Sequence, residues 1–175
     1  VLYQNDYNDW IPSAYNELYG GNARYWSLLW AQSCGYFVYD STAKSFPGFM
    51  YCPSQAPRVP GESTDWSQTY GLKQWKVPSS SATAYNIPKK LNEIRNISGF
   101  FLFGDSRASS TTRQYYSIGH NTNSDSQRIH LRHSRLANMT YADGHVAATK
   151  GEVITSQRDD YPDTTVNGGM GYQYY

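Results

Sequence analysis

Three groups of side chains in this 175-residue sequence could do chemistry. The first is Gly104-Asp105-Ser106, directly after the apolar run Gly99-Phe100-Phe101-Leu102-Phe103. A serine held where a strand enters a loop has the placement of a hydrolytic nucleophile, but that role needs a base and an orienting acid around it. The simpler reading is that a strand ends here and Asp105 and Ser106 cap the turn. The second group is His130, Arg132, His133, Arg135 and His145, with Asp143. Imidazole and carboxylate together can bind a metal or move protons. His133 and His145 lack the i, i+4 spacing of a helical metal pair, and no paired carboxylates or third ligand accompany them in sequence. The expected role is therefore structural, a ring that bonds a backbone group or carboxylate and pins a hairpin, with no metal bound. The third group is Asp159, Asp160 and Asp163, an irregular acidic stretch of the kind that supplies oxygens to calcium. It lacks the glycine and glutamate register of an EF-hand loop, so a solvated acidic loop is the plainer reading, with calcium the one cofactor to consider.

Cys34 and Cys52 are the only cysteines. One pair in a Tyr- and Ser-rich chain is compatible with a single disulfide in an oxidising compartment, the alternative being two buried thiols. No C-x-x-C or Cys/His spacing points to zinc. Composition narrows the classes further. Fifteen basic residues against fourteen acidic ones leave a net charge of +1, which gives no electrostatic pull toward nucleic acid or an anionic membrane surface. Five Trp, 17 Tyr and six Phe within 39% hydrophobic residues suit β-structure and protein contacts. Aromatics in loops could also stack on sugars, although core packing is their commoner fate. The first residues form neither a signal peptide nor a membrane span.

The elements that must position these groups read as one domain over residues 1–175. Residues 1–12 are the end of a helix or a lead-in, closed by a turn at Trp10-Ile11-Pro12-Ser13. Asn22 caps a helix to about Ser33, with Tyr25, Trp26, Leu29, Trp30 and Ser33 at i, i+3 and i+4. Tyr36–Tyr39 and Gly48–Cys52 are candidate short strands, and Pro88–Arg95 could hold a helical turn or two. The run ending at Phe103 reads as a strand buried on both faces. The strongest local signal is Asp143-Gly144 between Ala137–Tyr141 and His145–Thr149, a two-residue hairpin turn that needs positive φ. Residues 151–175 form a Gly/Tyr-rich tail.

The segment from His133 to Val146 is a His, nine residues, then Asp-Gly: His133-Ser134-Arg135-Leu136-Ala137-Asn138-Met139-Thr140-Tyr141-Ala142-Asp143-Gly144-His145-Val146. It closely resembles the signature of the prepilin-type "H-x9-D-G" processing-associated proteins, typically R-H-S-x-x-A-N-x-x-F-A-D-G-H-V. Trp26-Ser27-Leu28-Leu29, Tyr51-Cys52-Pro53-Ser54, Thr69-Tyr70-Gly71-Leu72 and Phe103-Gly104-Asp105-Ser106 resemble that family's further blocks in their usual order, over about residues 2 to 150. Arg135-Leu136 stands where the family has glycines, and Lys73 where it has Asn. Gly104-Asp105-Ser106 is also similar to the block of G-D-S esterases. Those enzymes carry it near the start of an α/β domain with a later D-x-x-H, whereas this chain has it late and followed only by Asp143-Gly144-His145.

The resemblance implies an α+β fold, a pilin-like head whose N-terminal helix packs on a small antiparallel sheet with long loops. It implies a hydrophobic helix upstream of Val1, which would be the only link to a membrane, and export to the bacterial periplasm, cell surface or exterior. It favours a Cys34–Cys52 disulfide, closing a loop of about 18 residues for roughly 3 kcal/mol. Asn138, Asp143, Gly144 and His145 become structural motif residues with His133, which would bond a neighbouring loop's backbone. The function expected is a non-catalytic structural or assembly module, a filament subunit whose partners are itself or other envelope proteins. A carbohydrate-binding module and a G-D-S esterase are the alternatives.

Overall fold

A computed structural model of the chain describes residues 6, 8–12, 25–28, 30–31, 34–39, 46–55, 67–73, 89–94, 96–108, 113–118, 128–156 and 172–173. The apolar run after Gly99 becomes β4 (Phe101–Gly104), the middle strand of a five-stranded sheet. β2 (Gly71–Lys73) and β8 (Leu136–Tyr141) flank it, both antiparallel to it. β6 (Ser117–Ile118) joins β2 in parallel and β9 (Val146–Lys150) joins β8 antiparallel, so the order is β6-β2-β4-β8-β9. A second sheet holds β5 (Ser106–Arg107), β7 (Arg128–His130) and β10 (Tyr172–Gln173), with β7 central. β1 (Trp10–Ile11) pairs with β3 (Lys89–Lys90). Helices are confined, among the described residues, to α1 (Trp26–Leu28), α2 (Gly151–Ser156) and brief turns.

This corrects the expected α+β architecture. The described residues are mostly strands, with no long N-terminal helix, and the main sheet is mixed rather than a small antiparallel one. Of the helix expected over Asn22–Ser33, the described residues form α1, whose Trp26, Ser27 and Leu28 are all buried; Asn22, Leu29 and Ser33 lie outside the described residues. Trp26 stays inside because its Nε1–H donates to the Tyr116 carbonyl at 2.7 Å. Trp10-Ile11 is strand rather than turn, since it finds backbone partners at Lys89 and Lys90. Gly48–Met50 is a 3-10 turn rather than a strand.

β4 is buried on both faces, as its composition requires. Phe101 joins Ile118, Ile129, Leu131 and Met139 on one side, while Leu102 joins Ile11, Trp26, Leu28 and Leu72 on the other. Fully burying such a side chain contributes about 1.5–3 kcal/mol. A register shift against β8 between Phe101 and Phe103 breaks the alternation, so Phe103 turns to the same cluster as Leu102.

The hairpin β8–β9 forms where Asp143-Gly144 placed it, but with a different turn. Gly144 N–H donates to the Tyr141 carbonyl at 2.9 Å, Tyr141 N–H to the His145 carbonyl at 2.9 Å, and Gly144 has φ 92. Asp143 is not among the positive-φ residues, so this is a three-residue loop with glycine in the left-handed position, not a two-residue mirror turn. Asp143 Oδ1 accepts from the His145 backbone N–H at 3.1 Å and lies 2.6 Å from His145 Nδ1. Those contacts hold the Asp143 carboxyl below its ordinary pKa, the His145 backbone N–H being the largest cause. His145 also stacks on Tyr141, ring centroids 4.3 Å apart. The two-residue mirror turn lies nine residues earlier. His133 and Leu136 exchange backbone bonds of 3.0 and 2.9 Å across Ser134 (φ 53) and Arg135 (φ 67).

Candidate functional site

Asp105 sits at a corner. β4 ends at Gly104 in the five-stranded sheet and β5 starts at Ser106 in the second sheet, so the chain changes sheets at this residue. Both its backbone and its side chain hold the corner. Asp105 N–H donates to Asn138 O at 3.1 Å, His130 N–H donates to Asp105 O at 2.9 Å, and Asn138 N–H donates to Asp105 Oδ2 at 2.8 Å. The carboxylate is fully buried and faces the equally buried Arg132, whose Nη1 is 3.5 Å from Oδ1. Arg132 is itself clamped, donating through Nη2 to Ser106 O at 2.5 Å and through Nε to His130 Nδ1 at 3.0 Å. His130 is accordingly kept neutral. Burial, then the charges of Arg132 and Arg107, lower its pKa to about 4.

Two further segments reach this corner. The mirror turn at Ser134-Arg135 presents His133, whose Nε2 lies 3.2 Å from Asp105 Oδ2. The Tyr51-Cys52-Pro53-Ser54 loop presents Cys52, whose Sγ lies 3.3 Å from the same His133 nitrogen. Cys52 is fixed by its own N–H, which donates to Gln114 Oε1 at 2.7 Å. Tyr70 bonds the Cys52 side chain, and burial together with Cys52 and Asp105 pushes its pKa up to about 12. Cys52, Asp105 and His133 thus bring one ligand atom each to within 4.8 Å of one another.

The arrangement differs from a cysteine–histidine–aspartate relay. In a relay the nucleophile and the acid use opposite ring nitrogens, so that one holds the tautomer while the other takes the proton. Here sulfur and carboxylate share Nε2. Ser106 is engaged with backbone rather than with a base among the described residues. Its hydroxyl is fully buried, donates to Tyr115 O at 2.5 Å and accepts from Tyr115 N–H at 3.2 Å.

The expected residues distribute as follows. His133 meets two side chains rather than a loop's backbone, and Asn138 supplies a backbone bond to Asp105. Asp143, Gly144 and His145 stay at the hairpin tip. Cys34 and Cys52 are not joined in the structure, where the Cys52 sulfur is turned toward His133. Asp159, Asp160 and Asp163 lie outside the described residues. Sequence reasoning missed Cys52 and Asp105 as partners of His133, although each belongs to a block quoted for the resemblance.

Beside the cluster runs a groove of about 880 Å³ lined by Trp30, Phe37, Phe49, Tyr70, Phe103 and Val146, among others. Its aromatics pack edge-on, as with Trp26 and Trp30 at 81° and Phe37 and Phe49 at 87°. Among the described residues, no helix is long and apolar enough to cross a membrane. Comparison with protein-family models, with curated proteins and with solved structures gave no match.

Proposed function

We propose that the chain is a non-catalytic structural and assembly module of a bacterial envelope or extracellular surface, whose copies associate through the aromatic groove and the adjoining β9 edge. The observation that carries this reading is the groove's rim. Phe49 and Val146 are each 67% exposed while lining an aromatic trough, and apolar side chains left together at a surface mark a contact site. Val146 opens β9, and among the described residues no strand pairs with the outer side of β9. An edge strand beside an apolar trough suits a second copy, because two edges can meet about a two-fold axis with the same patch on both sides.

Two features weigh against the alternatives. Sugar sites present flat aromatic faces with polar groups around them, whereas these rings stand edge to face and Trp26 is only 2% exposed. Ester hydrolysis would need a free Ser106 hydroxyl beside a base, and that hydroxyl is bound to backbone. The resemblance in residues 133–146 supports the envelope setting.

Sedimentation velocity over a range of concentrations tests the reading. The wild-type chain should self-associate, and Phe49→Glu with Val146→Glu should weaken association by more than about tenfold. A chain that stays monomeric throughout, or ester turnover that vanishes in Ser106→Ala, would overturn it.

A further inference from the structure

We infer that Cys52, Asp105 and His133 bind one divalent transition-metal ion of the zinc class, tying three distant segments together. Ordinary hydrogen bonding leaves this cluster poorly explained. A carboxylate and a cysteine sulfur converge on a single imidazole nitrogen, at 3.2 and 3.3 Å. That nitrogen carries at most one proton, so it can donate fully to the carboxylate or to the sulfur but not to both. A cation at their centre satisfies all three.

The spacing fits. Zinc bonds of ~2.3 Å to sulfur and ~2.1 Å to nitrogen and oxygen imply tetrahedral ligand–ligand edges of roughly 3.4–3.6 Å. The observed edges at Nε2 are therefore short by only a few tenths of an ångström. The donor set, one thiolate, one imidazole and one carboxylate, selects zinc or cobalt over calcium or magnesium.

The surroundings supply the support that such sites require. Asp105 Oδ2 is held by Asn138 N–H at 2.8 Å, while Oδ1 faces Arg132. Asp105 Oδ1 and Arg132 Nη1 are buried atoms with no hydrogen-bond partner, so the pair is set in place without being closed by a short bond. Among the described residues Arg132 is the cation paired with Asp105; if Cys52 binds as a thiolate, the three charges (−1, −1 and +1) sum to −1, which suits a dication. The His133 side chain is 28% exposed, so the cluster is reached from solvent on the His133 side. The ion would do the work expected of the disulfide, fastening the loop at Cys52 to the sheet corner and to the mirror turn. This inference is independent of self-association.

The test is titration of the reduced, chelator-treated protein with Co²⁺, followed by competition with Zn²⁺. The wild-type chain should show thiolate-to-cobalt charge-transfer absorption saturating at one ion per chain, bleached by Zn²⁺, and a melting temperature raised by Zn²⁺. His133→Ala and Cys52→Ser should each weaken binding by more than about tenfold, while His145→Ala, remote at the hairpin tip, should bind as wild type. If Cys52→Ser does not fold, the wild-type titration and His133→Ala decide. Absence of the charge-transfer band in folded wild type, or undiminished binding in His133→Ala, overturns the inference.

Discussion

The turn that presents His133 should become more stable when its side chains are removed. Ser134 and Arg135 have φ values of 53 and 67, the left-handed region, and both are exposed. Each L-residue held there costs roughly 1–2 kcal/mol, a cost glycine avoids. Glycine returns part of that gain by loosening the unfolded chain, about 0.4–1 kcal/mol. Arg135→Gly should therefore stabilise by a net amount of about 0.5–1 kcal/mol, and Ser134→Gly with Arg135→Gly by about 1–2 kcal/mol. Either change sits where the resembling family carries, or adjoins, glycine. In a thermal melt each kcal/mol should raise the midpoint by about 2–4 °C for a chain of this size. Arg135→Ala, which keeps the strain, serves as the control and should be near neutral. If Arg135→Gly lowers the midpoint while Arg135→Ala does not, the strain argument fails, and the turn would owe its shape to side-chain contacts instead.

Three other outcomes follow from the buried corner and the hairpin. Asp105→Ala strands the buried Arg132 charge and the Asn138 N–H, so urea unfolding should show a loss of about 3–5 kcal/mol; a loss under 1 kcal/mol would show that the corner does not depend on the carboxylate. His130 has a folded pKa of about 4 against an unfolded value near 6.5. The unfolded chain therefore binds more protons between those values, and stability should fall by about 2 kcal/mol from pH 7 to pH 5. A flat profile in denaturant titrations over that range, or an equal slope in His130→Gln, would remove His130 as the cause. Gly144→Val places a β-branched residue at φ 92 and should cost about 1–3 kcal/mol in the same unfolding assay; a neutral result would mean the loop can adopt another turn.

What could be read from the sequence was local. The run Phe100 to Phe103 announced a strand with two buried faces, and Asp143-Gly144 announced a hairpin, because each signal lies within a few residues of the structure it makes. Even there the turn differed, since Asp-Gly serves both a two-residue and a three-residue loop and only the φ of Asp143 separates them. Of the helix expected over Asn22–Ser33, the described residues show Trp26–Leu28, buried residue after residue rather than on one face as the i, i+3, i+4 spacing suggests. The cluster was illegible for another reason. Cys52 is 81 residues from His133, and Asp105 meets it only because the chain changes sheets at that point. No spacing rule spans such separations. The one available clue was that the blocks around residues 52, 105 and 133 each carry at least one residue able to ligate.

Hydrogen exchange read strand by strand, at dilute and at concentrated protein, tests the assembly claim most directly. Alternate amides of Val146–Lys150 point away from β8, so pairing between copies must bury them. The account predicts that protection of these outward amides rises with protein concentration, together with reduced exchange around Phe49, and that Phe49→Glu with Val146→Glu abolishes the rise. Exchange at β9 that is independent of concentration, or concentration-dependent protection confined to a different face, would contradict it.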